Sequence, residues 1–541
     1  MKVEGLFVDL FKREIYPSEV CISKGRIKYV KRKAKASGKE YPFIMPGLID
    51  AHIHIESSMC TPGAFAAAAV SRGTTGVVSD PHEIANVLGI QGVNFMIEDA
   101  EKVPLKFWFG APSCVPATSF ETAGASVGEE ETEKLMKRNE IKYLAEMMNY
   151  PGVIYGDKIV LGKISIAKKS GKPIDGHAPG LTGENLKKYI EAGISTDHEC
   201  SSAEEAKEKL KYGMKIIIRE GSAARNLDAL KSIIRTNPEM TMLCSDDLHP
   251  EMLINGHINR LIKKLIAEGY DIFDVLKCCT YNPAKHYKLD AGLLRSGDPA
   301  DFILVDTLEN MEVLETWING SKVYERGKIL FDYKGAELVN NFNSSFITAD
   351  DIKVKNNSGK IRIIEASDGE LLTRQIFEEP GAGSYIEADT VRDILKIVVK
   401  DRYNDKPPAV GFIKGFGLKK GAFAGSVAHD SHNIICIGTN DDDIVSAVNE
   451  IVKAKGGFAV ADGSNNKVIP LPVAGIMSDK PVHSIAKDYN YASDMVKSLG
   501  CRLSSPFMTL SFMALLVIPE IKISDRGLFD GKEFRFVSLF V

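Results

Sequence analysis

His52 and His54 are separated by one residue and directly follow the string Pro46-Gly-Leu-Ile-Asp-Ala. Alternate side chains of a β-strand point to the same side, so a single strand would present both imidazoles together. Imidazole is a frequent ligand of divalent transition metals. A bare H-x-H pair often arises by chance, but the preceding string makes the pattern far more specific. The pair therefore predicts a metal site.

Four more groups that could bind a metal stand at the ends of other short apolar runs: Glu146, His177, His198 and Asp246. Each alone is more often a hydrogen-bonded polar residue or a helix N-cap. Together with the histidine pair they form a set of imidazoles and carboxylates, which suits Zn, Mn, Fe or Co. Such a set exceeds the needs of one tetrahedral ion, so two ions bridged by a carboxylate are expected.

The apolar runs that end in these residues alternate with amphipathic runs of helix length, which predicts βα units and a parallel sheet. Eight strands, each followed by a helix, are typical of a (β/α)8 barrel, whose active site forms at the carboxyl ends of the strands. All the candidate ligands would then meet at one mouth. The predicted strands are Phe43–His54, Thr75–Asp80, Lys106–Gly110, Ile141–Met147, Pro173–His177, Ile194–His198, Met214–Arg219 and Met240–Asp246.

The chain has 541 residues, which is more than one domain usually holds. We predict an α/β fold: a TIM-like (β/α)8 barrel, a small β domain formed from both flanks of the barrel, and a C-terminal α+β domain. The segments are 1–41 for the first part of the small β domain, 42–290 for the metal-binding barrel, 291–340 for the return part of the β domain, and 341–541 for the C-terminal domain.

Composition argues against a partner of nucleic acid or membrane. The formal net charge of −4 provides no bulk attraction to nucleic acid. No signal peptide is visible, and the longest apolar stretch, Phe507–Pro519, is too short to span a bilayer. That stretch is predicted to be a buried strand or core segment. The nine cysteines include no C-x-x-C pair, so we expect a reduced, cytoplasmic setting.

The order of these groups resembles the amidohydrolase superfamily: an H-x-H pair, a strand-four ligand, two histidines and an aspartate. The start Pro46–His54 and the return motif Gly297-Asp-Pro-Ala-Asp-Phe302 are also similar to that superfamily. Longer strings resemble the adenine deaminases in particular, and they occur in the barrel and in the C-terminal segment. These are Ser79-Asp-Pro-His-Glu-Ile-Ala-Asn86, Leu144-Ala-Glu-Met-Met-Asn149, Arg219-Glu-Gly-Ser-Ala-Ala-Arg-Asn226 and Ala424-Gly-Ser-Val-Ala-His-Asp-Ser-His-Asn433.

This resemblance implies two divalent metal ions, with manganese favoured over iron or zinc. It implies that hydroxide on the metals attacks C6 of adenine, so that hypoxanthine and ammonia form. It also implies a small purine substrate, and we expect a homo-oligomer. The metal ligands implied by the resemblance are His52, His54, Glu146, His177, His198 and Asp246.

Hydrolytic deamination also needs a group that moves protons. A metal can lower the pKa of water from about 15.7 to about 7, and the proton released must reach the leaving amine. Asp246 would already be at the nucleophile as a ligand, so it is the predicted catalytic proton carrier, together with Glu146 as a catalytic carboxylate.

Five further residues stand at the same strand ends, and they could contact the substrate or support a ligand: Asp80, His82, Arg219, Ser222 and Asp247. An Asp-Pro turn with an ordinary helix start explains the first two equally well. The arginine could instead pair with Glu220 or with another acid at the rim. His257 is expected to pack or to support a ligand.

Many binuclear amidohydrolases carry a carboxylated lysine on strand four, and this chain has Lys142 on the same face as Glu146. The lysine is four residues nearer the start of the strand, about 13 Å away at ~3.3 Å per residue. Its side chain would not reach the mouth of the barrel. We therefore expect Glu146 itself to bridge the metals.

Several alternatives stay open at this point. The same metal chemistry would serve an amidohydrolase acting on another cyclic amide or amidine, as hydantoinases and dihydroorotases do. A non-catalytic assembly protein would have lost ligands, yet every predicted position retains one. The other type of zinc deaminase carries P-C-x-x-C, which is absent here. His429 and His432 could form a third metal site, although a glycine-rich loop with incidental histidines is the simpler interpretation.

Overall fold

The computed structural model describes residues 1–34, 41–222, 224–357, 359–463 and 465–541. Residues 35–40, which belong to the predicted N-terminal segment 1–41, lie outside the described residues.

An eight-stranded sheet combines strands from both ends of the barrel segment, in the order β16-β15-β14-β13-β4-β1-β2-β3. The junction between the two ends is β4, which pairs in parallel with β1 and antiparallel with β13. The small β domain predicted from the two flanks therefore exists as one sheet. Its strands are β1 Lys2–Asp9, β2 Glu14–Ser23, β3 Arg26–Arg32, β4 Phe43–Pro46, β13 Phe302–Val305, β14 Val313–Ile318, β15 Ser321–Glu325 and β16 Lys328–Ile329.

Eight parallel strands follow one another around a curled sheet. They pair as β5-β6-β7-β8-β9 and as β10-β11-β12. β9 lies beside β10, and β12 lies beside β5 through a parallel bridge between Ile53 and Asp246. The strands are β5 Leu48–Ile53, β6 Thr74–Ser79, β7 Lys106–Ala111, β8 Ile141–Met147, β9 Ile174–Gly176, β10 Thr196–Asp197, β11 Lys215–Arg219 and β12 Thr241–Cys244.

Helices follow these strands and cover the outside of the curled sheet. They are α1 Pro62–Ser71, α2 His82–Leu88, α3 Ile90–Ala100, α4 Glu129–Met136, α5 Tyr150–Tyr155, α6 Lys158–Lys169, α7 Gly183–Glu191, α8 Ala203–Lys211, α9 Leu227–Leu230, α10 Ser232–Thr236, α11 Pro250–Leu253, α12 Ile258–Ala267, α13 Ile272–Cys278 and α14 Tyr281–His286. Short 3-10 turns occupy Ile55–Ser58 and Pro238–Met240.

The predicted first strand, Phe43–His54, is wrong as a single element. It divides at Gly47 into β4 of the small sheet and β5 of the parallel sheet. A Cβ atom at Gly47 would lie 2.2 Å from Oγ1 of Thr75, so only glycine allows the chain to pass this close to β6 while it changes sheets. His54 lies just beyond the end of β5 rather than within it.

The C-terminal part forms a separate, mixed eight-stranded sheet in the order β18-β17-β20-β19-β22-β21-β23-β24, and a three-stranded sheet, β25-β26-β27. The strands are β17 Ile361–Glu365, β18 Arg374–Glu378, β19 Leu395–Lys400, β20 Ala409–Lys414, β21 Ala422–Gly425, β22 Ile434–Gly438, β23 Gly457–Asp462, β24 Asn465–Pro470, β25 Ile521–Ser524, β26 Gly527–Asp530 and β27 Arg535–Phe536. The helices are α15 Asp441–Ala454, α16 Val482–Ser498 and α17 Pro506–Ser511, with 3-10 turns at Ala349–Ile352 and Phe512–Ala514.

Helix α15 illustrates how the sequence forms this domain. The side chain of Asn440 accepts a hydrogen bond from the N–H of Asp443, which caps the helix start. Ile444, Val448 and Ile451 recur at helical spacing and are buried against the sheet. The domain is therefore built by ordinary amphipathic packing.

The stretch Phe507–Pro519 is buried as expected, but its secondary structure differs from a strand. It contains most of α17 and the 3-10 turn that follows. An apolar run of this length does not by itself distinguish a strand from a buried helix. Among the described residues, no helix is long and apolar enough to cross a membrane.

Candidate active site

The carboxyl ends of the parallel strands bring the predicted ligands into one buried cluster. Each side chain stands at or just beyond the end of its strand, and each is at most 9% exposed. Because the sheet is curled, residues up to 194 positions apart in the sequence lie next to each other. The clustered residues are His52, His54, Glu146, His177, His198 and Asp246.

Three of these side chains converge on one point. Nε2 of His52 lies 3.2 Å from Nε2 of His54, and Oδ1 of Asp246 lies 3.7 Å and 3.4 Å from these two atoms. Ligands held at about 2.1 Å around a tetrahedral ion stand about 3.4 Å apart. The spacing and chemistry of these donors therefore fit a divalent metal ion.

Glu146 lies between this group and the other two histidines. Its Oε1 is 3.3 Å from Nε2 of His54, whereas its Oε2 is 2.9 Å from Nδ1 of His177 and 3.0 Å from Nε2 of His198. The two oxygens thus face two different sets of imidazoles, which is the arrangement that a bridging carboxylate needs. Lys142 is half-buried and its charge acts on Glu140 and Lys172, away from the cluster.

Arg219 binds acids of the cluster through both of its terminal nitrogens. Its Nη2 donates to Oε2 of Glu199 at 2.9 Å, and its Nη1 donates to Oδ2 of Asp246 at 2.7 Å as well as to Oε1 of Glu199. The sequence left open whether Arg219 pairs with Glu220 or with another acid at the rim, and the structure pairs it with Glu199 and Asp246. Its charge supports the cluster.

Glu199 is a site residue that the sequence interpretation missed. Its Oε1 lies 3.3 Å from Nε2 of His198 and 3.6 Å from Nδ1 of His177. Its position directly after a predicted ligand was the only sequence signal, and an adjacent residue in a strand normally points to the opposite side. Here β10 has already ended at Asp197, so the rule does not apply.

Asp80 and His82 lie within the cluster as well. Oδ2 of Asp80 accepts from Nδ1 of His82 at 3.0 Å, and this same nitrogen is 3.3 Å from Oε1 of Glu146. The ring of His82 packs edge-on against His54, with centroids 4.6 Å apart. His82 is therefore as close to the centre of the site as the predicted ligands are.

Ser222 and Asp247 have different positions. The Ser222 hydroxyl accepts from the N–H of His249 at 2.8 Å, and its own N–H donates to the carbonyl of Asp247, so this residue holds the loop after β12. The side chain of Asp247 lines the cavity, where the Ser57 hydroxyl donates to its Oδ1 at 2.5 Å.

A buried network lies beneath the histidine pair. His257 contacts Oδ2 of Asp50 at 2.8 Å through Nε2 and Oγ1 of Thr74 at 2.7 Å through Nδ1. Asp50 also accepts the N–H of Ser245 at 3.1 Å, beside the end of β12. This network connects β5, which carries His52, to β6 and to the end of β12. Such a position is consistent with the supporting role expected for His257.

The C-terminal domain supplies the opposite wall of the cavity above the cluster. The apolar part of that wall consists of Leu371, Phe512 and Leu515, and the polar part consists of His429 and Asp430. A second cavity of about 420 Å³ shares Glu199, Arg219, Ala224 and Leu371 with the first. The site is thus enclosed by both halves of the chain, and this second cavity adjoins it.

Comparison with known proteins places this architecture in a family. The model of the amidohydrolase family matches residues 43–323, and the model of the adenine deaminase C-terminal domain matches residues 370–535. Proteins named adenine deaminase from Methanosarcina mazei, Methanosarcina barkeri and Salinibacter ruber are 49%, 51% and 48% identical to the chain. The alignments cover 99–100% of this chain and 99% of each relative.

The chain belongs to the adenine deaminase family of amidohydrolases. The resemblance inferred from the sequence motifs is therefore confirmed, and it extends over the whole chain. Because the family model of the C-terminal domain includes Leu371, His429 and Phe512, the part that distinguishes adenine deaminases also forms a wall of the cavity.

Electrostatics in this adenine deaminase family member keep the carboxylates ionised. Burial alone would raise the pKa of Glu146, but His198 and His177 hold it well below its usual range. Burial likewise opposes ionisation of Asp246, and Arg219 with His54 reverses this, so its pKa is also lowered. Buried carboxylates that remain charged next to imidazoles are the donors that divalent metals prefer.

Glu83 is the second residue that the sequence interpretation missed. It is buried, its Oε1 is 2.5 Å from Nδ1 of His429, and its Oε2 contacts Nε2 of His432. Nε2 of His82 is 3.4 Å from its Oε1. The two C-terminal histidines thus meet the barrel at a carboxylate that stands beside the cluster.

Proposed function

We propose that the chain catalyses the hydrolytic deamination of adenine to hypoxanthine and ammonia. The observation that carries this proposal is the composition of the cavity. The histidine and carboxylate cluster of an amidohydrolase forms its floor, and the segment matched by the adenine deaminase C-terminal domain forms its wall. Relatives named adenine deaminase are similar to this chain over almost their full length.

The cluster would hold two divalent ions, with manganese favoured over iron or zinc. His52, His54 and Asp246 would hold one ion, since their donor atoms have the spacing of a shared tetrahedral site. His177 and His198 would hold the other ion. In this assignment Glu146 bridges the two ions without a carboxylated lysine, because each of its oxygens faces a different set of imidazoles.

The bound ions would supply a nucleophilic water at neutral pH by lowering the pKa of that water to about 7. Asp246 and Arg219 would assist the attack of this water. Oδ2 of Asp246 is neutralised by Arg219, and Oδ1 faces the histidine pair. As a ligand, Asp246 would already stand beside the attacking water, so its carboxylate is the group placed to take a proton from that water and to pass it to the departing amine.

The C-terminal wall favours a flat, unsubstituted base. Leu371, Phe512 and Leu515 place apolar surface over the cluster, which suits the face of a purine ring and excludes bulk water. A ribose would have to pass Leu371 into the neighbouring cavity. We therefore expect adenine to be a substrate and adenosine to be rejected.

The deciding experiment is an ammonia-release assay. Metal-loaded protein is incubated separately with adenine, adenosine, guanine and dihydroorotate. Ammonia from adenine alone would support the proposal. Comparable turnover of adenosine would contradict the free-base specificity, and hydrolysis of dihydroorotate without deamination of adenine would indicate the cyclic-amide activity instead.

We further propose that the eight parallel strands close into a complete (β/α)8 barrel, consistent with the bridge between Ile53 and Asp246. The domain limits 1–41, 42–290, 291–340 and 341–541, the homo-oligomeric state and the cytoplasmic location remain predictions.

A further inference from the structure

The hydrogen bonds of His432 define which of its nitrogens carries a proton. The N–H of Ala428 donates to Nδ1 of His432 at 3.3 Å, so Nδ1 is the acceptor. A neutral imidazole then carries its proton on Nε2. That nitrogen lies against Oε2 of Glu83. His432 is therefore in close contact with the glutamate through Nε2.

Glu83 in turn orients His429. Oε1 of the glutamate lies 2.5 Å from Nδ1 of His429, so this nitrogen is the donor of that contact. A carboxylate at one ring nitrogen fixes the tautomer and the plane of an imidazole. The ring is also held face-on to Phe512, with centroids 5.1 Å apart and planes 27° apart. The orientation of His429 is thus set from two directions.

The other ring nitrogen of His429 is Nε2. Nε2 is buried and has no hydrogen-bond partner among the described residues, although a buried polar atom without a partner is destabilising. His429 lines the same cavity as His54, Glu146 and Asp246. An oriented, unsatisfied nitrogen at the wall of a catalytic cavity is arranged for a ligand.

We propose that Nε2 of His429 donates a hydrogen bond to a ring nitrogen of the bound purine, so that the C-terminal domain contributes a catalytic residue to the active site. This inference rests on the proposed function. A purine has several ring nitrogens with lone pairs in its plane, and Phe512 beside the imidazole provides apolar surface for the ring.

The charges around His429 agree with a donor at Nε2. Burial would lower the pKa of His429, but Glu83 and Asp247 raise it to about 9. At neutral pH the ring is then protonated on both nitrogens. A donor to the ring also withdraws electrons from C6, and this becomes more favourable as the attacking water adds there.

Two substitutions separate this role from a purely structural one. Asparagine at position 429 places an amide N–H near the position of Nδ1, so His429→Asn keeps the bond to Glu83 and loses Nε2. Glutamine places its amide near Nε2, so His429→Gln does the reverse. We expect kcat/KM for adenine to fall about 100-fold in His429→Asn and about tenfold in His429→Gln, because a positioned donor typically contributes about 10²-fold or more.

Metal content and Tm are measured for both variants, with His483→Asn as the matched control, since His483 is exposed on α16. The control should behave as wild type. Normal turnover in His429→Asn together with a large loss in His429→Gln would overturn the proposal, since it would show that only the bond to Glu83 matters.

The contact with the ring is tested by inhibition with 1-, 3- and 7-deazaadenine, each of which replaces one ring nitrogen by CH. In wild type, one analogue should bind about tenfold more weakly than the others. In His429→Asn that difference should disappear. An unchanged pattern in the variant would overturn the contact. Failure of wild type to release ammonia from adenine would instead contradict the proposed function, so the two outcomes are distinguishable.

Discussion

Nη1 of Arg219 donates to Oδ2 of Asp246 at 2.7 Å, and the aspartate stands at the end of β12 with its other oxygen towards the histidine pair. The arginine therefore occupies one oxygen of the proposed proton carrier, and the second oxygen faces the proposed metal site. Because the pair is buried, its charges interact with little screening by water.

The first prediction concerns the pH dependence that this pair controls. Arg219 lowers the pKa of Asp246 against the opposing effect of burial. Arg219→Met removes that charge, so the pKa of Asp246 rises. On acidification, Asp246 is then protonated at a higher pH than in wild type. The acid limb of kcat/KM should move to higher pH, and kcat should fall by about 100-fold, a loss of about 2.7 kcal/mol of interaction.

Arg219→Lys is the control for that experiment, because it keeps the charge and loses only the forked geometry. Its acid limb should stay near that of wild type. A pH–rate profile of metal-loaded Arg219→Met that superimposes on wild type would contradict the assigned role.

The second prediction concerns the bridge between the ions. Glu146→Gln removes the negative charge but keeps the shape, so we expect weaker binding of both ions and a loss of turnover of at least about 100-fold. Lys142→Ala should retain the metals and the activity, because that lysine lies away from the cluster. Metal content and turnover are measured for both variants after loading with and without bicarbonate.

A carboxylated lysine would give the opposite pattern. Wild-type activation that requires bicarbonate, together with metal loss in Lys142→Ala, would move the bridge from Glu146 to the lysine.

The third prediction assigns one histidine to each ion. His52 belongs to the group with His54 and Asp246, whereas His177 contacts the other oxygen of Glu146. His52→Ala and His177→Ala should each abolish turnover, lower the metal content and leave a folded, soluble chain. Metal analysis and circular dichroism provide the readouts. Full occupancy with normal turnover in either variant would show that the ligand assignment is wrong.

The fourth prediction concerns specificity for the free base. Leu371 is half-buried between the active-site cavity and the neighbouring space of about 420 Å³. Leu371→Ala should open the passage between them and raise the ratio of kcat/KM for 9-methyladenine over adenine by about tenfold. The matched control is Leu372→Ala, which alters a side chain that lines only the outer cavity. Equal ratios in both variants would contradict a gating role for Leu371.

Much of the site could be predicted from the chain because strand ends are local features. His52, His177, His198 and Asp246 each close a short apolar run, and parallel strands carry their carboxyl ends to one edge. The position of Glu146 relative to Lys142 also follows from the rise and the two-residue period of a strand.

Two local predictions failed for identifiable reasons. The run Phe43–His54 was predicted as one strand, but the close approach of Gly47 to Thr75 redirects the chain between two sheets. The buried run Phe507–Pro519 formed α17 and a turn, since apolarity alone does not select between a strand and a buried helix.

The sequence by itself determined the strand-end ligands and the family, because both depend on residue type and short spacing. Only the tertiary structure decided the partners of those residues. Glu83 and His429 are 346 positions apart, and they meet because the C-terminal domain docks on the barrel. No periodicity encodes such a contact, since it depends on how two separately folded layers pack against each other.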